Sequence, residues 1–120
     1  MTKKIERPWG CEETIACTSE YIVKKFFINA GAKLERQFHL KCEESIYVDH
    51  GVLHLDLSET EDESNILKIN SGDSWRMLPR KTYRFCAPQN TNVVLFIITT
   101  PDEADLFYFE NSTRRINAKI

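Results

Sequence analysis

Short runs of β-branched and aromatic residues, separated by turn signals, recur along almost the whole of this sequence. Residues 21–29 form one such run, which ends at the turn signal Asn-Ala-Gly, and residues 92–99 form another. Residues 52–57 alternate strictly, so their leucines would lie on one face of a strand, and His54 and Asp56 on the other. Strands spaced at about 8–12 residues are typical of a β-sandwich or barrel. We therefore predict an all-β fold.

A helix start is indicated only near the end of the chain. Thr100 suits a helix cap, Pro101 the first helical position, and Glu103 lies three residues after the cap. We therefore predict a short C-terminal helix or turn after the strands. No internal repeat and no linker rich in proline, glycine or serine interrupts the chain, and 120 residues are enough for one hydrophobic core. The prediction is a single domain over residues 1–120.

Composition argues against several classes of protein. The net charge is −2 and no dense cluster of basic residues occurs, so a nucleic-acid partner is not expected. Residues 1–10 carry no apolar signal segment, and the longest apolar run, residues 93–98, is too short to span a bilayer. We predict a cytoplasmic protein with no membrane partner. Its four cysteines form no CxxC pair and are expected to be reduced, partly buried thiols: Cys11, Cys17, Cys42 and Cys86.

Three polar residues stand between two glycines in a segment that otherwise has the pattern strand, turn, strand. Gln37 and His39 are two residues apart, so they point to the same face of a strand. Glu44 follows a four-residue turn and begins the next strand, which could return antiparallel beside the first. All three side chains could then converge on one interior point. Gly31 and Gly51 suit the bends at the two ends.

The spacing G-x5-Q-x-H-x4-E-x6-G over residues 31–51 resembles the first cupin motif, with glutamine where many cupins have their first histidine. This variant, the Arg-Pro-Trp-Gly at residues 7–10 and the pattern of residues 21–39 are similar to type II mannose-6-phosphate isomerases. They are also similar to the cupin domain fused to mannose-1-phosphate guanylyltransferases. Residues 71–79 resemble the start of the second cupin motif. The resemblance extends from about residue 6 to residue 99.

The resemblance implies a cupin jelly-roll barrel, a homodimer and a sugar or sugar-phosphate ligand such as mannose 6-phosphate. It further implies an aldose–ketose isomerase in which a divalent metal (Zn, Mn, Fe, Co or Ni) polarises the substrate oxygens and a base moves a proton through an enediol. Gln37, His39 and Glu44 would be the metal ligands.

The sequence departs from the family pattern at Arg84. The family has a metal-binding histidine five positions after the second-motif proline, and counting from Pro79 gives Arg84. A guanidinium has no lone pair to donate, and its charge opposes a nearby cation. We therefore expect Arg84 to lie inside the barrel and to pair with Glu44, with Gln37 and His39 as hydrogen-bonding neighbours. This arrangement places isomerase activity in question.

Three functions remain open on this evidence. The sequence favours a metal-free pocket in which Arg84, with Glu44, His39 and Gln37, binds a sugar phosphate or a similar small ligand without turnover. A metal-dependent isomerase would use Arg84 as a phosphate or oxyanion contact. A metal-free enzyme would use His39 as acid and base, with Arg84 setting its charge state.

Other residues could contribute to a ligand site. Trp9 and Trp75 could stack on a sugar ring at the mouth of the barrel, although core or dimer packing is the more common role of such residues. His54 is expected to be a surface histidine. Four basic residues are candidates for phosphate contacts by their charge alone: Lys24, Lys25, Arg76 and Arg114.

Overall fold

The computed structural model describes residues 3–101, 106–110 and 114–117, with side chains for residues 3–101. Every regular element in this part of the chain is a β-strand, which confirms the all-β prediction. The strands are β1 (Lys3–Arg7), β2 (Gly10–Cys17), β3 (Ile22–Ile28), β4 (Gln37–His39), β5 (Glu44–His50), β6 (Val52–Asp56), β7 (Ile66–Asn70), β8 (Ser74–Met77), β9 (Arg84–Cys86), β10 (Val93–Thr99), β11 (Leu106–Glu110) and β12 (Arg114–Asn117).

The predicted helix start lies mostly outside the described residues, which omit residues 102–105. The described residues that follow form β11 and β12, which pair with each other and with β4. No helix in the described part of the chain could cross a membrane. The cytoplasmic location stays a prediction.

The strands pair out of sequence order, as in a jelly roll. A six-stranded antiparallel sheet has the order β1-β2-β3-β10-β5-β8. Two three-stranded sheets complete the fold, with the orders β7-β6-β9 and β12-β11-β4. An isolated bridge between Gln37 and Tyr83 links β4 to the start of β9. Strands that are far apart in the chain therefore contribute side chains to one interior.

Alternation along the central strands builds the hydrophobic core. The inward positions of β3, β5 and β10 carry residues such as Ile28, Val48 and Leu95, which are fully buried. Polar residues take the same inward positions towards one end of these strands: Lys24 on β3 and Glu44 on β5 are buried as well. Burying a charged group is costly unless it has a partner. The polar end of the interior, where Lys24 and Glu44 lie, is therefore the candidate functional site.

Two motif glycines have backbone conformations that side chains rarely adopt. Gly31 has a φ of +78° and Gly51 has a φ of +82°. A Cβ at Gly51 would lie 2.3 Å from the carbonyl oxygen of Asn92, so the bend between β5 and β6 needs a residue without a side chain. The glycines thus shape both ends of the segment that carries Gln37, His39 and Glu44, as the sequence analysis proposed.

None of the four cysteines, all of which lie in the described residues, is in a disulfide. Cys42 and Cys86 are buried, Cys11 is half-buried and Cys17 is exposed. Burial raises the pKa of the Cys86 thiol, which keeps it protonated and unreactive.

Candidate functional site

The described barrel contains a cavity of about 560 Å³ at the polar end of its interior. This volume lies in the range of small-molecule sites, roughly 300–1,000 Å³. Apolar residues such as Trp9, Phe26 and Phe85 form part of the wall. Charged and polar residues form the remainder in two groups, one around His39 and the other around Lys24.

Gln37, His39 and Glu44 meet at this cavity. All three line it, and all three are buried, with exposed fractions of 7%, 8% and 5%. Nε2 of His39 lies 3.2 Å from Oε2 of Glu44. The structure therefore brings together the three residues that strand geometry had grouped, because β4 and β5 both turn these side chains into the barrel.

Tyr83 belongs to the same group, and the sequence analysis missed it. Its hydroxyl donates a 2.8 Å hydrogen bond to Oε1 of Glu44. Backbone hydrogen bonds join Tyr83 and Gln37 in both directions, at 2.9 and 3.0 Å. Glu44 therefore contacts Tyr83 through one carboxylate oxygen and His39 through the other. The alternation Tyr-Arg-Phe at residues 83–85 was the signal that could have placed Tyr83 inside.

The prediction that Arg84 lies inside the barrel and pairs with Glu44 is wrong. Arg84 is absent from the cavity wall, and its Nη2 donates to Oδ2 of Asp56 at 3.3 Å. Its Nη1 lies 3.5 Å from Oε1 of Glu61. Successive strand residues point to opposite faces, so the side chain after the inward Tyr83 must point outward. The contacts with substrate that were expected of Arg84 have no support in this geometry.

A buried ionic cluster lies behind the strand that carries Gln37. Arg36, only 3% exposed, donates to Oδ2 of Asp56 at 3.3 Å and also pairs with Glu61. Oδ1 of Asp56 accepts a 2.9 Å hydrogen bond from the backbone N–H of Ser58. Burial alone would raise the pKa of Asp56, but the hydrogen bonds from Ser58 and Arg84 and the charge of Arg36 lower it overall. Glu61 thus connects the acidic loop of residues 58–65, between β6 and β7, to the barrel.

Because Arg84 is absent from the cavity wall, its positive charge does not directly oppose a metal ion at Gln37, His39 and Glu44. Two ligand atoms that each lie about 2.1 Å from an ion are about 3.0–3.4 Å apart, and the 3.2 Å between His39 and Glu44 fits that range. Among the described residues no three His, Cys, Asp or Glu side chains are grouped for metal binding, so such a site would need the amide oxygen of Gln37. The donor types and the spacing of His39 and Glu44 are therefore compatible with a divalent ion, and the same spacing is that of a hydrogen bond between the two side chains.

The histidine is incompletely satisfied by the protein. Nδ1 of His39 is buried and has no hydrogen-bond partner in the described structure. Metal-binding histidines usually donate their second N–H to a protein acceptor, which is missing here. A buried nitrogen without a hydrogen bond lowers the stability of the fold. Such groups are typical of sites where a bound ligand supplies the missing hydrogen bond.

The second polar group of the cavity contains Arg7, Glu12 and Lys24. Oε2 of Glu12 lies 3.3 Å from Nζ of Lys24, and Oε1 lies 3.2 Å from Nε of Arg7. Glu12 and Lys24 are 6% and 7% exposed. Lys24 had been a candidate by charge alone, and its position on the cavity wall was not foreseen.

The remaining candidates lie in different places. Trp9 lines the cavity and packs on Phe26, with ring centroids 4.9 Å apart, so it serves both the core and the wall. Trp75 is 41% exposed on the edge strand β8 and is absent from the cavity wall, so the substrate contact expected of it is not supported. His54 is partly buried on β6 and away from the cavity; burial and then the charge of Lys68 lower its pKa.

No protein-family model and no curated protein matches this chain. Solved structures do match it. The chain is similar to oxalate decarboxylase from Bacillus subtilis, with a TM-score of 0.76 and 16% identity over 90% of this chain and 30% of that one. It is also similar to an RmlC-like cupin from Shewanella frigidimarina, with a TM-score of 0.70 and 19% identity over 87% of both chains. The chain has the cupin fold.

A third similar structure is KdgF from a Halomonas species, with a TM-score of 0.70 and 15% identity over 83% of this chain and 88% of that one. These identities are low, so the comparisons establish the cupin fold alone. The jelly-roll prediction is therefore confirmed. The relation to mannose-6-phosphate isomerases stays a prediction.

Proposed function

We propose that this cupin binds a small hydroxylated ligand, a sugar or sugar phosphate, in its cavity and transfers a proton on it at His39, Glu44 and Tyr83. The observation that supports this most is the chain of contacts from Tyr83 through Glu44 to His39 on the cavity wall, at 2.8 and 3.2 Å. The proposed reaction is proton transfer beside a carbonyl group, which interconverts an aldose and a ketose.

Glu44 has the central position in this proposal. As a carboxylate it can accept hydrogen bonds from the Tyr83 hydroxyl and from a protonated Nε2 of His39 at the same time. It would therefore orient the imidazole and stabilise its positive charge when His39 takes up a proton. The Tyr83 hydroxyl donates its one proton to Glu44, and its oxygen can accept a hydrogen bond from a substrate hydroxyl. The residue types suit acid–base chemistry on a sugar.

A divalent metal would be held by Gln37, His39 and Glu44. When bound, it would polarise the carbonyl and hydroxyl oxygens of the substrate. The metal-free enzyme with His39 as acid and base is the first candidate, because His39 contacts Glu44. The metal-dependent enzyme is the second candidate, and in it His39 would be a ligand in place of an acid or base. A binding protein without turnover would use the same cavity.

The metal-dependent candidate predicts that the chain takes up one Mn, Fe, Co, Ni or Zn ion and that Glu44→Gln prevents this. A metal at 100 times its dissociation constant stabilises a fold by about 2.7 kcal/mol, which a thermal shift detects. Elemental analysis of protein purified without chelator measures the content directly. Glu43→Gln is the matched control, since Glu43 is an exposed carboxylate that pairs with Arg76 at 2.7 Å. Loss of metal in both variants, or an empty wild-type protein after incubation with these ions, would contradict the metal site.

Proton transfer is tested by incubating the protein with mannose 6-phosphate, fructose 6-phosphate or mannose in deuterated water. Nuclear magnetic resonance then follows the hydrogen beside the carbonyl group and the appearance of the isomer. We expect deuterium exchange with at least one of these compounds. If a ligand binds but no deuterium exchange occurs, the chain is a binding protein and the proposed proton transfer is wrong.

The homodimer also stays a prediction. Phe27, Tyr47 and Ile98 are 39–41% exposed and lie at outward positions of β3, β5 and β10. A second copy of the chain would cover this apolar face of the six-stranded sheet.

A further inference from the structure

We propose that the cavity selects a neutral monosaccharide, a sugar that carries neither a phosphate nor a carboxylate group. The kind of ligand, a sugar, is taken from the proposed function, on which this inference rests. Two features of the described cavity wall narrow that ligand to the neutral class. The charges of the wall balance, and its buried charges are paired with one another.

The cavity wall has as many acidic as basic side chains among the residues that the structure describes. The three carboxylates and the three cations are Glu12, Glu35, Glu44, Arg7, Lys24 and Lys33. A wall without net charge does not attract an anion over a distance, because each cation is offset by a carboxylate on the same wall. An anionic ligand nevertheless loses its hydration when it enters. The wall therefore offers a phosphate group no compensation for that loss.

The buried charges of the wall already have partners of opposite sign. Glu12 and Lys24 are 6% and 7% exposed, and Oε2 of Glu12 lies 3.3 Å from Nζ of Lys24. Oε1 of Glu12 lies 3.2 Å from Nε of Arg7. A phosphate at these cations would have to share them with Glu12, and its negative charge would lie beside a buried carboxylate. Like charges repel strongly where water is excluded, so this arrangement discriminates against an anionic ligand.

Paired charges remain good partners for hydroxyl groups. A carboxylate has about four acceptor positions, and the contacts of Glu12 occupy one on each oxygen. A sugar hydroxyl both donates and accepts, so it can donate to Glu12 and accept from an N–H group of Arg7, whose side chain is 37% exposed. Glu44 has the same property, since Tyr83 and His39 each contact one of its oxygens. A neutral sugar therefore adds hydrogen bonds without adding a charge.

The separation of the two polar groups suits a single sugar ring. Lys24 lies opposite Ile97, which lies opposite Ile46 on β5. Glu44 is two residues from Ile46 on the same inward face, so the Cα atoms of Lys24 and Glu44 are about 12 Å apart in a flat sheet. Trp9 also lines the cavity and offers an apolar ring to the C–H groups of a sugar. The ligand that matches this wall is therefore one monosaccharide with free hydroxyl groups.

The fluorescence of Trp9 measures binding in a Trp75→Phe background, where Trp9 is the one tryptophan left. The probes are matched pairs: mannose, fructose and glucose, each compared with its own 6-phosphate. We expect at least one neutral sugar to bind about tenfold or more tightly than its 6-phosphate, and inorganic phosphate not to displace it. Calorimetry on the wild-type chain repeats the comparison, so that a ligand which leaves the fluorescence unchanged is still detected.

Variants that change the charge balance should change the preference. Glu12→Gln keeps the shape of the side chain but removes a carboxylate, so the 6-phosphate should gain about tenfold in affinity relative to its neutral partner. Glu35→Gln, at an exposed position on the wall, should act in the same direction with a smaller effect. It tests the inference even where Glu12→Gln does not fold, which thermal unfolding checks. Glu13→Gln is the matched control, because Glu13 lies opposite Lys25 on the other face of β2 and is absent from the cavity wall.

Three results would overturn the inference: 6-phosphates that bind as tightly as their neutral partners, no binding of any neutral sugar, or an unchanged preference in both Glu12→Gln and Glu35→Gln. The proposed proton transfer fails independently. If a neutral sugar is preferred but no deuterium exchange occurs, the neutral-sugar site stands and the isomerase chemistry is wrong. If exchange is as fast with mannose 6-phosphate as with mannose and both bind equally, the chemistry stands and the selection of a neutral sugar is wrong.

Discussion

Replacing His39 with alanine should lower the rate of deuterium exchange by about 10²- to 10⁴-fold, the usual contribution of a positioned acid or base. The imidazole is buried on the cavity wall, and its Nε2 contacts Glu44 at 3.2 Å. Ligand affinity should change much less than the rate, since the rest of the cavity wall remains. The measurement is the exchange rate at saturating substrate, with the dissociation constant determined separately from the fluorescence of Trp9.

Two further variants test whether the loss of deuterium exchange is specific to residues of the cavity wall. His54→Ala removes a partly buried histidine that is absent from the cavity wall, and it should leave exchange unchanged. Tyr83→Phe removes the donor to Glu44 and should slow exchange by about tenfold, because a hydrogen bond to a charged group is lost. If His39→Ala weakens binding but keeps the rate at saturation, His39 is a binding residue and the acid–base role is wrong.

Replacing Asp56 with asparagine should lower the free energy of unfolding by about 3 kcal/mol at neutral pH, because it breaks a buried ionic network. The carboxylate accepts hydrogen bonds from Arg36 and Arg84, both at 3.3 Å, and from the backbone of Ser58. An amide cannot balance the two guanidinium charges, and Glu61 would be left as their acidic partner within this cluster. Urea unfolding measures the loss. Asp49→Asn, at an exposed position on β5, should have almost no effect.

The loss of unfolding free energy caused by Asp56→Asn should depend on pH. Because the pKa of Asp56 is lower in the folded protein than its ordinary value, the carboxylate contributes stability above its unfolded pKa of about 3.9. That contribution is lost as the pH falls through the lower folded pKa. The difference between the wild-type protein and Asp56→Asn should therefore be largest near neutral pH and should shrink below about pH 4. A difference that stays constant down to the acid limit would show that the ionised carboxylate is not its source.

The error about Arg84 shows how a motif count and a strand pattern can disagree. Counting five positions from Pro79 placed Arg84 at the metal site, whereas alternation within residues 83–85 places Tyr83 and Phe85 inside. The segment between Pro79 and β9 contains Arg80 in a left-handed conformation, with a φ of +68°. A change of one residue in such a loop moves every following side chain to the opposite face of the strand. Local alternation was therefore the better guide to the interior.

Sequence alone was sufficient where the cause is local. The twofold alternation of strands indicated the all-β fold, and the spacing of Gln37 and His39 placed both on one face of β4. The glycines at positions 31 and 51 marked the bends on either side, since their positive φ angles exclude most side chains. Each of these properties depends on neighbouring residues along the chain.

Only the tertiary structure decided which distant side chains meet. Tyr83 contacts Glu44 across 39 positions of sequence, and Lys24 contacts Glu12 across 12. The Lys24–Glu12 pair exists because β2 pairs with β3, and the Tyr83–Glu44 pair because a bridge between Gln37 and Tyr83 brings the start of β9 beside β4. At an inward strand position, a lysine or a tyrosine fits the alternation of the strand as well as an apolar residue does, so the alternation does not reveal its partner. Its partner, and so its chemical role, is set by the register of strands that the sequence separates widely.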